Sequence, residues 1–284
     1  MTMQKLFGVV ALSLLLAPWS AMAQFAFTPI DVPDATRTAA HGNSMHKIVG
    51  EFDDENGSTH GFVLTRGDFT TIDVPGAVST KVNGISANDR LAGTYQDATR
   101  LHAYFWSKGV LTTLDPPGST ESQGGFVNVQ GQVVGGYRDN NRIRHAFVWS
   151  RGIFTTIDPP NGHPTLGPVA FGINDRRQIV GTYVDEDGNR HGFLLSKGVY
   201  TTLDVPGAVF TVAEGINNAG TIAGLYLGTD DTTHGFLLKC GNYTTVDVPG
   251  SARTEIYSIN AIGQFVGAYE DASGVHGFRA TPVH

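Results

Sequence analysis

One short unit recurs six times along this chain, and no other feature narrows its fold as far. His-Gly-Phe or a close variant begins at His60, His102, His145, His191, His234 and His276, at intervals of 42, 43, 46, 43 and 42 residues. Asp-Val-Pro or Asp-Pro-Pro begins at Asp31, Asp73, Asp115, Asp158, Asp204 and Asp247 and keeps the same period. Between them lies a Gly-Ile-Asn element, clearest at Gly172–Asn174 and Gly215–Asn217, and then Gly-x-Tyr-x-Asp, as at Gly181–Asp185. Self-similarity at this period marks a repeat architecture, in which each unit buries its apolar surface against its neighbours.

One unit reads as four strands. Phe171 to Asn174 is a short strand, and Gln178 to Val184 a second one that is apolar or small on both faces. Asp187-Gly188-Asn189 is a hairpin turn. His191 to Ser196 is the third strand, Lys197-Gly198 turns the chain, and Val199 to Val205 is the fourth. Pro206 lacks a donor N–H, which suits the end of an outer edge strand. Four strands in about 43 residues is a propeller blade. A parallel β-helix is the competing all-β fold, but its coils would not need two hairpin turns each.

The phase of the repeat predicts how the ring closes. Phe25 to Val32 already matches a fourth strand, because Ile30-Asp31-Val32-Pro33 parallels Leu203-Asp204-Val205-Pro206. The chain ends after a third strand, His276 to Ala280. Joining the two ends completes a six-bladed β-propeller with four antiparallel strands per blade, closed without a covalent bond. The single cysteine, Cys240, excludes an internal disulfide, so packing and hydrogen bonds must hold the fold.

Residues 1–23 read as a secretory signal peptide. Lys5 precedes an apolar run from Leu6 to Trp19, and Ala21-Met22-Ala23 predicts cleavage before Gln24. The run is shorter than the roughly 20 residues a membrane span takes. No later stretch is apolar enough to span. The expected location is therefore secreted or periplasmic, with residues 24–284 forming one propeller domain. A formal charge of −7 argues against nucleic acid as a partner.

The units, such as Thr201 to Ala208 followed by Gly215-Ile216-Asn217 and His234-Gly235-Phe236, resemble the HAF family of bacterial extracellular repeats. His145-Ala146-Phe147 spells out the family's eponymous triplet. The resemblance covers essentially the whole of the chain after the leader. It implies an exported bacterial propeller and no particular activity.

The repeated histidines invite a metal-binding or catalytic reading, but blades radiate from an axis and keep identical groups apart. A catalytic site needs unlike groups that converge. The histidines therefore read as staples, each bonded to the aspartate across its hairpin: Asp54, Asp97, Asp139, Asp185 or Asp271. Blade five departs, with Gly228 in the aspartate's place and Asp230 nearby. The Asp-Val-Pro aspartates read as acceptors for turn N–H groups. No metal site or cofactor is expected. Acidic hairpins such as Asp53 to Gly57 and Asp185 to Asn189 leave calcium as a minor alternative, since their spacing does not match a full calcium loop. Cys240 has no evident catalytic partner, and no nucleophile elbow, phosphate loop or zinc spacing occurs.

What differs between blades is the better place to seek a ligand. The differences gather after the fourth strand, at Arg37, Lys81, Glu121, His163, Phe210, Arg253 and Glu255, and where the next first strands open, at Asn83, Phe171, Glu214 and Tyr257. These residues predict a binding face around the axial channel. The leading expectation is a binding module for an extracellular ligand, a carbohydrate, protein or other envelope component. The alternative is a hydrolase or lyase using Glu214, Glu255, His163 and Tyr257 as acid/base groups.

Overall fold

The computed structural model describes residues 25–163 and 165–283, so the leader predicted for residues 1–23 lies outside the described residues. Twenty-four strands, β1 to β24 in chain order, form six four-stranded antiparallel sheets, with no helix among the described residues. Blade four shows the plan: β14 (Val169–Ile173), β15 (Ile179–Val184), β16 (Arg190–Ser196) and β17 (Val199–Leu203), paired in that order from the axis outwards. Blades one, two, three and five repeat it, beginning at β2 (Arg37–Asn43), β6 (Ser79–Ile85), β10 (Ser119–Val127) and β18 (Phe210–Ile216).

Blade six is assembled from both ends of the chain. Its order is β22 (Arg253–Ile259), β23 (Phe265–Asp271), β24 (Gly274–Pro282) and then β1 (Phe25–Ile30). The register runs from Phe25 opposite Pro282 to Ile30 opposite Gly277. Phe25 and Phe27 pack edge-on against Phe265, with ring centroids 4.9 and 6.5 Å apart. The ring is thus closed by the N-terminal strand, as the phase of the repeat predicts.

The repeated residues hold single blades together. The aromatic of each His-Gly-Phe lies over the glycine of Gly-x-Tyr on the neighbouring strand. A Cβ on Gly181, for example, would stand 2.7 Å from the Phe193 ring and 2.1 Å from the Val169 carbonyl. The tyrosine of Gly-x-Tyr bonds a threonine of the outer strand, as in Tyr183 to Thr202 at 2.9 Å. The same bond forms at Thr113, Thr156 and Thr245, the second threonine of the pair in blades two, three and five.

Each staple histidine sits between two carboxylates, and here the division of labour differs from the sequence expectation. Nδ1 pairs with the Asp-Val-Pro aspartate of its own blade: His60 with Asp73, His102 with Asp115, His145 with Asp158, His191 with Asp204 and His234 with Asp247, at 2.6 to 3.0 Å. In blade six His276 reaches Asp31, 245 positions away, at 3.1 Å. The Asp-Val-Pro aspartates are therefore histidine partners rather than turn acceptors. The reason is register: Gly192 pairs with Leu203, which sets His191 beside Asp204. The hairpin aspartates take the turn N–H groups instead, as Asp54 does from Asn56 and Ser58, and lean on Nε2 from the other side. In blade five Asp230 fills that place at 3.3 Å.

A second device joins blade to blade. The asparagine of Gly-Ile-Asn donates to a carbonyl of the next blade: Asn128 to Asn174, Asn174 to Asn217, Asn217 to Asn260, and Asn260 to Ser44, at 3.0 to 3.3 Å. These four links run from blade three round to blade one at one end of the axial channel.

Candidate functional site

Each blade presents its first strand to the axis, and each of these strands is interrupted at the axial cavity, with a second interruption upstream, between Ser119 and Glu121, in blade three. Pairing with the second strand slips between Ala40 and Gly42, Val82 and Gly84, Ala170 and Gly172, Ala213 and Gly215, and Ile256 and Ser258. In blade three the slip runs from Gly124 to Val127. A β-bulge leaves a residue out of the ladder and re-aims its side chain. The residues left out are His41, Asn83, Phe171, Glu214 and Tyr257, with Gly125-Phe126 in blade three. All line one axial cavity of about 410 Å³, together with Lys81, Thr94, Leu101, Gln123, Gly124, Val169 and Ala170.

The glycine after the bulge has a steric cause. A Cβ on Gly84 would lie 2.7 Å from the Cα of Phe126, and one on Gly172 would lie 2.6 Å from the Glu214 carbonyl. The first strands converge too closely for a side chain there, so the bulged residue is the one free to vary.

The walls of the cavity differ electrostatically. On the side of blades one and two, the Glu51 carboxylate is 1% exposed and takes Arg37 at 2.6 Å and Lys81 at 2.8 Å, with His41 Nε2 at 3.7 Å. Burial alone would raise this carboxyl. His41 and Lys81 outweigh it and hold Glu51 well below the usual carboxylate range. On the side of blades five and six, burial and then the charge of Glu255 push the Glu214 carboxyl up to about 8. Tyr257 donates a hydrogen bond to Glu255 and stacks on His41, with centroids 4.7 Å apart and planes 12° from parallel. Burial, followed by Glu255, raises the Tyr257 phenol well above its ordinary value.

Of the residues predicted for the channel face, Lys81, Asn83, Phe171, Glu214 and Tyr257 meet in the cavity, whereas Arg37, Glu121, His163, Arg253 and Glu255 do not line it. Arg37, Glu121 and Arg253 lie on the first strands upstream of the bulge, where they pair with the second strand: Arg37 with Glu51, Glu121 with Arg138, Arg253 with Glu270. Phe210 holds the matching place in blade five and lies under Arg190. Glu255 acts on the cavity through Tyr257. His163 belongs to the connection between β13 (Ile153–Thr156) and β14, where its Nδ1 accepts from the backbone N–H groups of Thr165 and Leu166.

Sequence reasoning missed His41, Phe126, Gln123, Thr94 and, behind them, Glu51. The signal for His41 was its place before a glycine. In blade one, however, Gly-Ile-Asn reads Gly42-Asn43-Ser44, and the following turn is one residue shorter. In blade three Phe126 stands where the glycine belongs.

No family model and no curated protein matches the chain. Solved structures share its fold. The SapL1 lectin, solved in complex with alpha methyl fucoside, superposes with a TM-score of 0.59 at 11% identity, over 87% of this chain and 95% of that one. The fungal lectin of Aleuria aurantia, described as a six-bladed β-propeller with a novel fucose recognition mode, gives 0.53 at 11% identity, over 89% and 93%. The β-propeller domain of the Trilobed protease from Pyrococcus furiosus, described as having an open velcro topology, gives 0.52 at 8% identity, over 88% and 94%. At these identities the likeness shows the propeller fold.

Proposed function

We propose that this chain is an exported binding module that takes a saccharide in its axial cavity. One observation carries the reading: the position that differs in every blade is the one a bulge delivers to the common cavity. The lining combines the aromatic faces of Phe126, Phe171 and Tyr257 with the amides of Asn83 and Gln123 and the hydroxyl of Thr94. Aromatic faces pack on the C–H surface of a sugar ring, and convergent polar groups meet its hydroxyls. Two of the similar propellers are lectins by name, which supports the class of ligand. The leader-like residues 1–23 and the resemblance to HAF repeats support export.

A second reading, an extracellular hydrolase or lyase, draws on Glu214. A carboxylic acid still protonated at neutral pH can serve as a general acid, and Glu214 is pushed up to about 8.

A glycan array probed with the exported protein tests both. Retention of a defined saccharide is expected, and Asn83→Ala and Phe171→Ala should each weaken it at least about tenfold, or about 1.4 kcal/mol, measured well below the melting temperature of each variant because Asn83 also donates to the Gly124 carbonyl of the next blade at 2.6 Å. An array that retains nothing, or retention that survives both substitutions, overturns the binding reading. Release of shorter products during incubation would select the enzyme.

A further inference from the structure

Half of the inner ring differs from the other half. Phe171, Glu214 and Tyr257 are consecutive bulge positions, from blades four, five and six. A carboxyl therefore stands on the cavity wall between two aromatic residues. Among the described residues, no cation pairs with Glu214.

The charged and titratable groups around it are engaged elsewhere. On β22, Arg253 pairs with Glu270 at 2.7 Å and lies 3.6 Å from Glu255, which accepts from Tyr257. β14 carries no ionisable residue. On β15 and β16, Tyr183 bonds Thr202, Arg190 covers Phe210, and His191 lies between Asp185 and Asp204. On β19 (Ile222–Leu227), Tyr226 bonds Thr245. Across the cavity, Arg37 and Lys81 hold Glu51, with His41 beside them.

An aromatic face attracts a cation through its quadrupole, and a carboxylate adds direct attraction, which is strong where water is excluded. A neutral hydroxyl ligand can hydrogen-bond the carboxyl and pack on the rings, but it brings no positive charge for either to attract. We propose that the ligand of the axial cavity carries an ammonium group, seated at Glu214 between Phe171 and Tyr257. This rests on the reading of the cavity as a saccharide site and narrows it to amino sugars with a free amine. It also has a proton signature. Glu214, pushed up to about 8, holds its proton at neutral pH. An ammonium ion must displace that proton, so affinity should rise with pH until Glu214 is ionised.

The test is calorimetric titration of the exported protein with choline, whose charge does not change with pH, and with its neutral isostere 3,3-dimethylbutan-1-ol. Choline should bind at least about tenfold more tightly than the isostere. Paired buffers of different ionisation enthalpy should show release of about one proton per choline at neutral pH. Glu214→Gln should abolish the preference for choline, and Phe171→Leu should weaken choline alone if the first variant is poorly folded. Equal binding of the two probes, unchanged choline affinity in both variants, or no choline binding overturns the proposal. Retention of a neutral saccharide with no choline binding would sink the ammonium site and leave the saccharide reading standing. Choline binding with no saccharide retained would do the reverse.

Discussion

The outer clamps and the inner bulges belong to the same six blades and obey opposite rules. The clamp is the same in every blade: one histidine on the third strand, held between the aspartate after the outer strand and the aspartate of the hairpin. The inner position changes from blade to blade, through His41, Asn83, Gly125, Phe171, Glu214 and Tyr257. The difference has a structural meaning. A group that every blade needs in order to stand must recur in each of them. A group that acts at the axis is seen by the whole ring once, so repetition gives it nothing. Stability is written in what recurs, and recognition in what does not.

The largest effect should come from breaking the one clamp that spans the chain ends. Deleting residues 25–33 removes β1, leaves β24 as an unpaired edge, and strips Phe25, Phe27 and Ile30 from the core. An exposed edge invites aggregation. The expected outcome is insoluble protein, or a melting temperature lower by more than about 10 °C, since 1 kcal/mol moves a domain of this size by only about 2–4 °C. A truncated protein that melts with the intact one would show that the ring does not depend on this strand, as ordinary frayed termini would predict.

Next in size is the place where the two regions merge. Glu51 is more deeply buried than any clamp residue, yet it has no counterpart in the other blades, where Thr94, Gly136, Thr182, Leu225 and Ala268 hold its place. Glu51→Ala leaves Arg37 and Lys81 facing each other without their shared carboxylate. Removing one partner from a buried ion pair costs about 3–5 kcal/mol, and the half-exposed Lys81 puts this case at the lower end. Chemical denaturation should show that loss, and ligand retention should fall with it because Lys81 is released. A loss of retention with no loss of stability would make Glu51 purely a recognition residue and blur the rule.

His102→Ala tests the clamp alone. This histidine is 9% exposed and lies 3.0 Å from Asp97 and 2.9 Å from Asp115. Leaving both carboxylates without it should cost about 1–3 kcal/mol, while ligand retention stays within twofold or so of the parent. A variant that folds normally and loses its ligand would overturn the structural role of the repeated histidines.

The same contrast explains what the sequence revealed. The strand plan, the closure through Phe25 to Ile30 and the histidine staples were legible because six copies, each slightly different, show which residues are obligatory. Partner choice within the staple was not legible. An aspartate lies on either side of each histidine, displaced to Asp230 in blade five, and only the register of the third and fourth strands decides which one takes Nδ1. The cavity was half legible. Asn83, Phe171, Glu214 and Tyr257 were found as unlike residues before a conserved-looking element. His41 was hidden by Gly42-Asn43-Ser44. Arg37, Glu121 and Arg253 were misplaced because nothing in a strand pattern announces a bulge, which is what separates the axial residue from those upstream of it.

The smallest expected effect is the pH dependence that the clamps give to stability, and the cavity carboxyl sharpens the comparison because it titrates in an overlapping range. Burial opposes the charge on His191 and His234, but hydrogen bonds to their aspartates outweigh it and raise both above the ordinary 6.5. Their contribution is fully present below 6.5 and is lost as pH rises through the folded values. The hydrogen bond from His191 lowers Asp185 from 3.8 to about 2, so its contribution is full above 3.8 and lost as pH falls toward 2. Glu214 runs the other way for a carboxyl: raised from 4.5 to about 8, it makes folding less favourable as pH climbs between those values. All three place the optimum on the acid side of neutrality, and the partly exposed clamps keep the amplitude small because solvent screens them. Melting temperatures measured from about pH 3 to about pH 9 should therefore peak near about pH 4 to 4.5 and fall as pH climbs, first with Glu214 and then also with the histidines. Glu214→Gln should flatten the alkaline slope where Glu214 titrates without touching the acid limb, and His191→Ala should reduce both limbs because its loss also frees Asp185. A melting temperature that rises steadily to pH 9 would mean that neither the clamps nor the cavity carboxyl is linked to folding in this way.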